Sequence, residues 1–398
     1  MRRLHAMSHG WQAAFVANTI VVQAVTFVVR PSATYRALEL GVGAQWLGLM
    51  SASFAIVPLL VAVQLGRTVD RIGERRVMVT GAVLATAAGA VLVFLGDYVW
   101  GLLVGFILLG TGHLGSVVAQ QALVANRTDA SRYDSVFGRY TFAASLGQAI
   151  GPGLIIVSGR SQAIPHTHTI FVWATLLSLT LIATAAAVPS QERPMGAAER
   201  REGSVASLLR RRELVLALTV SCVVQAAVDI TVVYLPALGS ERSVAAGTVG
   251  ALLTVRAVAS MGSRLFLGRL VDLLGRARLL TTSVSVAAVT MAALAFVSST
   301  PTLFLLVLGM GFGLGCGQPL TMSWLAESSP PGLRGRAMSL RLTGNRLGQV
   351  VLPSAAGVLA IGSGAGAVLC ATGVSLAAVA VLSRSIGSPG QAPTTPTT

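Results

Sequence analysis

The sequence predicts an all-α membrane protein whose twelve transmembrane helices form two parallel six-helix repeats. Three observations carry that prediction: the composition, the number of apolar runs, and a motif that recurs once. Hydrophobic residues make up 54% of the 398 residues and charged residues only 11%, and the mean hydropathy is +0.74. A soluble domain carries roughly 25% charged residues. Too little polar surface remains to clothe a soluble body of this length, so part of the solvent must be lipid.

Six apolar runs fall at 10–30, 43–65, 77–95, 99–124, 136–158 and 168–188. Six more fall at 213–235, 245–267, 279–298, 302–325, 336–360 and 364–383. Each has about 20 predominantly apolar residues, the length a spanning helix needs. Transmembrane β-strands would be about 10 residues long and alternate in character, which these runs do not. The first run is too long for the apolar region of a signal peptide, and no A-x-A-like cleavage site follows it. It therefore reads as the first span.

The net charge of +15 comes from arginine alone, because the chain contains no lysine. Its placement gives the topology. Arginines gather at the N-terminus and on the even-numbered connections: Arg67, Arg71, Arg75, Arg76, Arg127, Arg132, Arg200, Arg201, Arg269, Arg276, Arg334 and Arg336 among them. The odd connections hold Arg36, Arg160 and Arg242, with Arg30 at the end of the first run. Positive residues stay cytoplasmic, so both termini are expected inside. The basic balance is topology and not a nucleic-acid footprint. The expected organisation is an N-terminal bundle over 1–188, a cytoplasmic linker over 189–212, a C-terminal bundle over 213–384 and a disordered Pro/Ser/Thr/Gly-rich tail over 385–398.

The recurring motif fixes the relation between the halves. Residues 65–76 read LGRTVDRIGERR and residues 267–278 read LGRLVDLLGRAR, with seven identities in twelve positions at an offset of 202. Leu146, Gly147, Gln148 and Pro152 recur at an offset of 201 as Leu347, Gly348, Gln349 and Pro353. An even number of spans per repeat returns the chain to the same side, so the repeats are parallel.

The segment Gly66-Arg-Thr-Val-Asp70-Arg71-Ile-Gly73-Glu-Arg75-Arg76 resembles the loop 2–3 signature of the major facilitator superfamily, Gly-x-x-x-Asp-Arg-x-Gly-x-Arg/Lys. The copy around Asp272 is similar to its loop 8–9 counterpart. Pro330-Pro-Gly-Leu-Arg334-Gly-Arg336-Ala is similar to the family's loop 10–11. The resemblance implies a gating role for Gly66, Asp70, Arg71, Gly73, Arg75, Arg76 and Asp272, with Asp70 capping the eleventh helix and latching the cytoplasmic side. A carboxylate suits a helix N-terminus, where orphan N–H groups meet the positive dipole end. In the fifth span Gly147, Gly151 and Pro152 resemble the family's antiporter motif, but Ile155 and Ile156 stand where its last two glycines belong. That half match leans toward export, and a glycine packing face explains it as well.

Polar groups inside lipid are costly, so they mark the interior. Spans three, six, nine and twelve carry no Asp, Glu or Arg. Asn18, Gln23, His113, Gln120, Gln225, Gln318 and Arg346 are the candidate cavity residues, on spans one, four, seven, ten and eleven. The resemblance implies that one, four, seven and ten line a cavity. At 1.5 Å per residue, Arg256 and Arg346 lie near mid-membrane, and Asp229 about a helical turn from Arg256 in depth. The expected arrangement is a buried Asp229–Arg256 pair, either a proton-coupling device or a static ion pair. Two mid-depth arginines against one acid suggest an anionic solute. Gly309, Gly311, Gly313, Gly315 and Gly317, ahead of Pro319, make span ten easy to break or to pack closely.

A P-loop needs a lysine, so this chain offers no Walker A motif for ATP. No HExxH or paired-cysteine spacing marks a metal, and Gly110-Thr-Gly112-His-Leu-Gly115 follows no strand. No enzyme activity, cofactor or metal is expected. The expected function is secondary active transport of a small organic solute, with proton-coupled export ahead of uptake of an organic anion; a lipid flippase or a sensor ranks below both. The expected partners are the solute, protons and the bilayer, with no nucleic acid. The protein should be a monomer in a bacterial plasma membrane.

Overall fold

In lipid every backbone N–H and C=O must be satisfied within the protein, so long apolar runs become helices. The computed structural model of the chain describes residues 2–127, 133–159, 162–189, 210, 212–328, 334–359 and 361–384. The expected tail, and all of the expected linker but residues 189, 210 and 212, lie outside the described residues. The first half comprises α1 (Arg2–Glu39), α2 (Ala44–Ile72), α3 (Glu74–Leu95), α4 (Val99–Arg127), α5 (Tyr133–Ile150), α6 (Gly153–Gly159) and α7 (Thr167–Ala186). The second comprises α8 (Arg212–Glu241), α9 (Ala246–Leu265), α10 (Leu267–Leu274), α11 (Arg276–Ala293), α12 (Thr300–Ser328), α13 (Arg334–Leu359) and α14 (Gly364–Arg384).

Among the described residues fourteen α-helices make twelve spans, because two spans are interrupted. The fifth breaks at Gly151-Pro152 into α5 and α6. The eighth bends by 62° between α9 and α10. Among the described residues ten helices are long and apolar enough to cross a membrane, and the bent pair makes an eleventh. The remaining span is α13, which is 26 residues long but carries Arg341, Asn345, Arg346 and Gln349. These four side chains are buried within the protein, which is how so polar a helix can sit in a bundle. Gly73 and Gly275, the repeat-related glycines of the two signatures, share one backbone geometry, with φ of 86° and 74° and ψ of 155° and 152°. That left-handed φ favours glycine and turns each chain into the next helix.

Alternating spans place the start of α1 and the end of α14 at one end of the bundle, the terminal end. At the far end, close approaches repeat across the halves. A methyl group added at Gly48 would overlap the Pro353 carbonyl oxygen, and one added at Gly250 would lie 3.0 Å from the Pro152 carbonyl oxygen. Gly48 and Gly250 are 202 residues apart, Pro152 and Pro353 are 201 apart, so one contact is built twice, between α2 and α13 and between α9 and the α5–α6 break. Ala246 N–H donates to Gln162 O at 2.6 Å and Thr254 Oγ1 to Ala149 O at 3.2 Å, closing the same end.

Arg36 and Arg242, read from sequence as rim charges only, also cap helices. Arg36 Nε donates to Gly96 O at 3.2 Å, at the end of α3, and Arg242 donates to Leu294 O at 3.0 Å and to Ala295 O and Val297 O beyond α11. A cation at a helix C-terminus satisfies orphan carbonyls and suits the dipole. The glycine row of span ten does not break it, since α12 runs unbroken through Pro319. Gly309 and Gly313 press on α11, and Gly311 and Gly315 press on α9. They are contact points that let α12 approach two helices.

Overpacking a tight contact costs about 1–3 kcal/mol, or roughly 5- to 150-fold in a population. Gly48→Val should therefore hold the far end apart. The short-distance population between spin labels at Trp46→Cys and Ile361→Cys, both exposed at the far end, should fall by that factor in the variant; an unchanged distance distribution would show that the contact does not govern closure.

Candidate functional site

The buried polar side chains form two groups. The first lies within the N-terminal half. Asn18 Nδ2 donates to Leu181 O at 3.1 Å and to Thr184 Oγ1 at 2.9 Å. Gln120 Nε2 donates to Asn18 Oδ1 at 2.9 Å, and Tyr140 OH to Gln120 Oε1 at 3.3 Å. This chain of bonds ties α1, α4, α5 and α7 together. Asn18 and Gln120, expected in the cavity, are almost completely buried and spent on that packing.

The second group spans both halves, and its centre corrects the expected pairing. Asp229 forms its ion pair with Arg30 of α1, not with Arg256; both partners are buried. The physical reason is a helix boundary. Pro31 reads as the end of the first run, but α1 continues to Glu39, so Arg30 lies inside the span and not on the rim. Proline is tolerated in a membrane helix because neighbouring groups satisfy the freed carbonyl. Arg30 Nη2 also donates to Ser51 Oγ at 3.3 Å, and its Cζ sits 4.5 Å from the centre of the Phe54 ring. The second carboxylate oxygen of Asp229 accepts from Gln225 at 3.0 Å and Gln349 at 2.6 Å. Arg346 Nη1 donates to Gln349 Oε1 at 2.7 Å, which links it to Asp229 through one amide.

The network continues toward the terminal end. Gln318 donates to Gln225, and Arg341 Nη2 lies 3.4 Å from Gln318 Oε1. Arg341 Nε donates to Ser221 Oγ at 3.0 Å, and Ser221 donates to Asn345 Oδ1 at 2.9 Å. Arg264 Nη1 crosses between the halves to Ser145 Oγ at 2.5 Å. On the other side Gln23 bridges His113 Nε2 and Gln148, each at 3.3 Å. His113 Nδ1 has no partner, and its ring leans on Phe54 at 5.7 Å.

Arg256 is fully buried; its Cζ lies 5.7 Å from the centre of the Phe27 ring and its Nε has no partner. It remains within electrostatic range of Asp229 without touching it.

The glycines of the antiporter-like motif are packing points. A methyl group at Gly147 would overlap Ile20 O, and one at Gly151 would lie 2.5 Å from Ala24 O. Gly348 repeats the arrangement against Cys222. The side chains of Asp70 and Arg71, which would form the latch, lie outside the described residues. Arg75, Arg76 and Asp272 are exposed at the terminal end. A groove of about 480 Å³ at the far end, lined by Gln45, Trp46, Leu49, Met50, Val99 and Leu103, is apolar and apart from the charged network.

Arg30, Ser51, Arg264 and Gln349 are the residues that sequence reasoning missed as site members. Arg30 and Gln349 carried a signal: a charge beside a proline in a long apolar run, and a glutamine repeated from Gln148 at an offset of 201.

The family model described as Major Facilitator Superfamily matches residues 14–243 and 217–397. A tetracycline resistance protein, class D, of Salmonella ordonez is 30% identical over 176 residues, 42% of this chain and 43% of that protein. The inner membrane transport protein YajR of Escherichia coli (strain K12) is 28% identical over 164 residues, 39% of this chain and 34% of that protein. The chain thus matches less than half the length of either relative. Among solved structures, a D-xylose–proton symporter superposes with a TM-score of 0.74 at 16% identity, covering 93% of this chain and 96% of that one. A POT family transporter in complex with 5-aminolevulinic acid gives 0.74 at 14% identity, covering 93% and 94%. At such identities these two share the fold.

Removing one partner of a buried ion pair costs about 3–5 kcal/mol, because the other charge is left alone. Arg30→Gln and Asp229→Asn should each lose stability on that scale, and the double variant should lose less than the two added. Denaturant titration of the four proteins reads this; simple additivity would show that the two side chains do not act as a pair.

Proposed function

The chain belongs to the major facilitator superfamily, and from that premise we propose that it is a proton-coupled secondary transporter of a small organic solute, with Asp229 as the proton site. The carrying observation is the Arg30–Asp229 ion pair, which joins α1 of one half to α8 of the other. Asp229 is the described carboxylate in the middle of the bundle; Glu74, also buried, starts α3 at the terminal end.

The charged or titratable groups in range of Asp229 are Arg30 on α1, Arg256 on α9, Arg346 on α13 and His113 on α4. The other helices packed on α8, which are α2, α12 and α14, bring no described charge into that range. Protonating Asp229 removes one charge of the pair and leaves Arg30 to seek another partner. The tie between the halves is then weaker and they can part. Return of the proton to the opposite compartment re-forms the tie. Coupling follows if the carboxylate meets water from one side before the change and from the other side after it.

The terminal end is proposed to be cytoplasmic, as the arginine distribution indicates, in a bacterial plasma membrane and with a monomer as the working unit. There Asp70 and Arg71 would form the inner latch, opposite the far-end contacts at Gly48 and Gly250. Export is supported by the likeness to a tetracycline resistance protein. The second reading is uptake of an anion by symport, favoured by the surplus of guanidinium groups around Asp229.

Inverted vesicles with an imposed pH gradient test the proposal with a panel of solutes. Asp229→Asn should reduce gradient-driven transport to background while solute exchange without a gradient persists. Full gradient-driven activity in that variant would remove Asp229 as the proton site.

A further inference from the structure

The Arg30–Asp229 pair does not neutralise the centre of the molecule. Three guanidinium groups, Arg30, Arg256 and Arg346, share the field of one described carboxylate. Among the described residues neither Arg256 nor Arg346 forms an ion pair. Arg256 is 2% exposed and Arg346 is 7% exposed, so water does little to offset their charge. A buried cation without an anion costs several kcal/mol even after relaxation. A packing role could be filled by an apolar side chain at no such cost.

The surroundings of the arginines are those of a receptor held in readiness. The Cζ atoms of Arg256 and Arg30 lie over the Phe27 and Phe54 rings, 5.7 and 4.5 Å from the ring centres. A cation–π contact uses no N–H donor of the guanidinium in a hydrogen bond. Nε of Arg256 and Nε of Arg30 are both buried without a partner. Arg346 uses Nη1 on Gln349, whose amide reaches Asp229. Planar forks with vacant donors match the two oxygens of a carboxylate or the oxygens of a phosphate monoester.

We propose that Arg256 and Arg346 form the receptor for an anionic group on the solute, a carboxylate or a phosphate monoester, and that this anion binds together with a proton on Asp229. The proposal rests on the reading of Asp229 as the proton site. An anion drawn to Arg256 and Arg346 meets the negative charge of Asp229. Protonation of Asp229 removes that repulsion and frees Arg30 to donate to the incoming oxygens. Each ligand therefore favours the other, and by linkage the coupling is reciprocal. Two ligands that bind together travel in the same direction, so the receptor belongs to the second reading, in which an inward proton gradient drives uptake of the anion. Both guanidinium groups are covered in this conformation; the anion reaches them as the halves part.

The test uses the purified full-length chain and its thermal unfolding in the presence of benzoate, succinate or glycerol phosphate, with benzamide and glycerol as neutral controls. At least one anion should raise the Tm saturably, more at acidic than at alkaline pH, while the controls do not. The arms separate carboxylate from phosphate. Arg256→Gln and Arg346→Gln should each weaken that anion roughly 10- to 100-fold, the worth of one hydrogen bond to a charged group. Arg256→Lys keeps the charge but loses the fork, and should fall between parent and Gln variant, which guards against misfolding as the cause. Asp229→Asn should bind the anion independently of pH. A set in which no anion outperforms its neutral control overturns the receptor. Anion binding that does not depend on pH overturns joint binding and the proton site while leaving the receptor. Proton-coupled transport by a chain that binds no anion overturns the receptor and leaves the proton site.

Discussion

A charge in the middle of a bilayer protein is stable only where the chain itself supplies what water would have given. The contact between Arg30 and Asp229 meets that demand for two charges at once, and much of the interior is arranged around it. Ser51 Oγ accepts from Nη2 of the guanidinium, and the Phe54 ring centre lies 4.5 Å from its Cζ. Gln225 and Gln349 take the second carboxylate oxygen. The partners come from α1, α2, α8 and α13, so satisfying the pair requires both halves to be in register. An ion pair buried this way adds little net stability, because desolvation offsets the attraction. Its physical effect is conditional: it holds the halves together while both groups are ionised, and stops doing so when one is neutral.

The scaffold that presents the pair is built twice, and the chemistry is built once. Gly48 on Pro353 and Gly250 on Pro152 are the same contact in the two halves, as are Gly147 on Ile20 and Gly348 on Cys222. Gln23 and Gln225 share one repeat position, and Gln148 and Gln349 another. In the first half the two glutamines bond to each other at 3.3 Å; in the second both turn to Asp229. The offset of 202 that aligns the halves puts Phe27 opposite Asp229 and Phe54 opposite Arg256. Each of these two rings of the first half sits beside a guanidinium, Phe27 beside Arg256 and Phe54 beside Arg30. Symmetric packing closes the far end at two equivalent contacts, and the charge held between the halves is asymmetric.

Much of the fold was legible because lipid makes the code simple. Apolar length gave the spans, arginine placement gave their expected orientation, and the repeated signature gave the parallel halves. The shared φ of Gly73 and Gly275 is that signature expressed as backbone geometry. The site was less legible. Asp229, Arg256, Arg346, Gln225 and Gln318 could be singled out, since polar residues in apolar runs stand out. Their partners could not, because pairing depends on which helix faces pack, and that is not a local property. Arg30 was hidden by Pro31, which in a soluble helix would mark an end. Asn18 and Gln120 looked like cavity residues because burial against a neighbouring helix and exposure to a cavity leave the same mark on a sequence. The glycine row of α12 was ambiguous for the same kind of reason, since glycine serves both bending and close approach.

The central claim is that Asp229 changes its protonation state while buried between the halves. Difference infrared spectroscopy of the carboxylic acid C=O stretch during acidification, on the parent and on Asp229→Asn, measures this at the bond concerned. The account predicts a band from a protonated, buried carboxyl group that appears in the parent as the pH falls through the range where transport operates and is missing from the variant. An identical difference spectrum for the two proteins across that range would mean that Asp229 stays ionised, and the pair with Arg30 would then be a fixed strut.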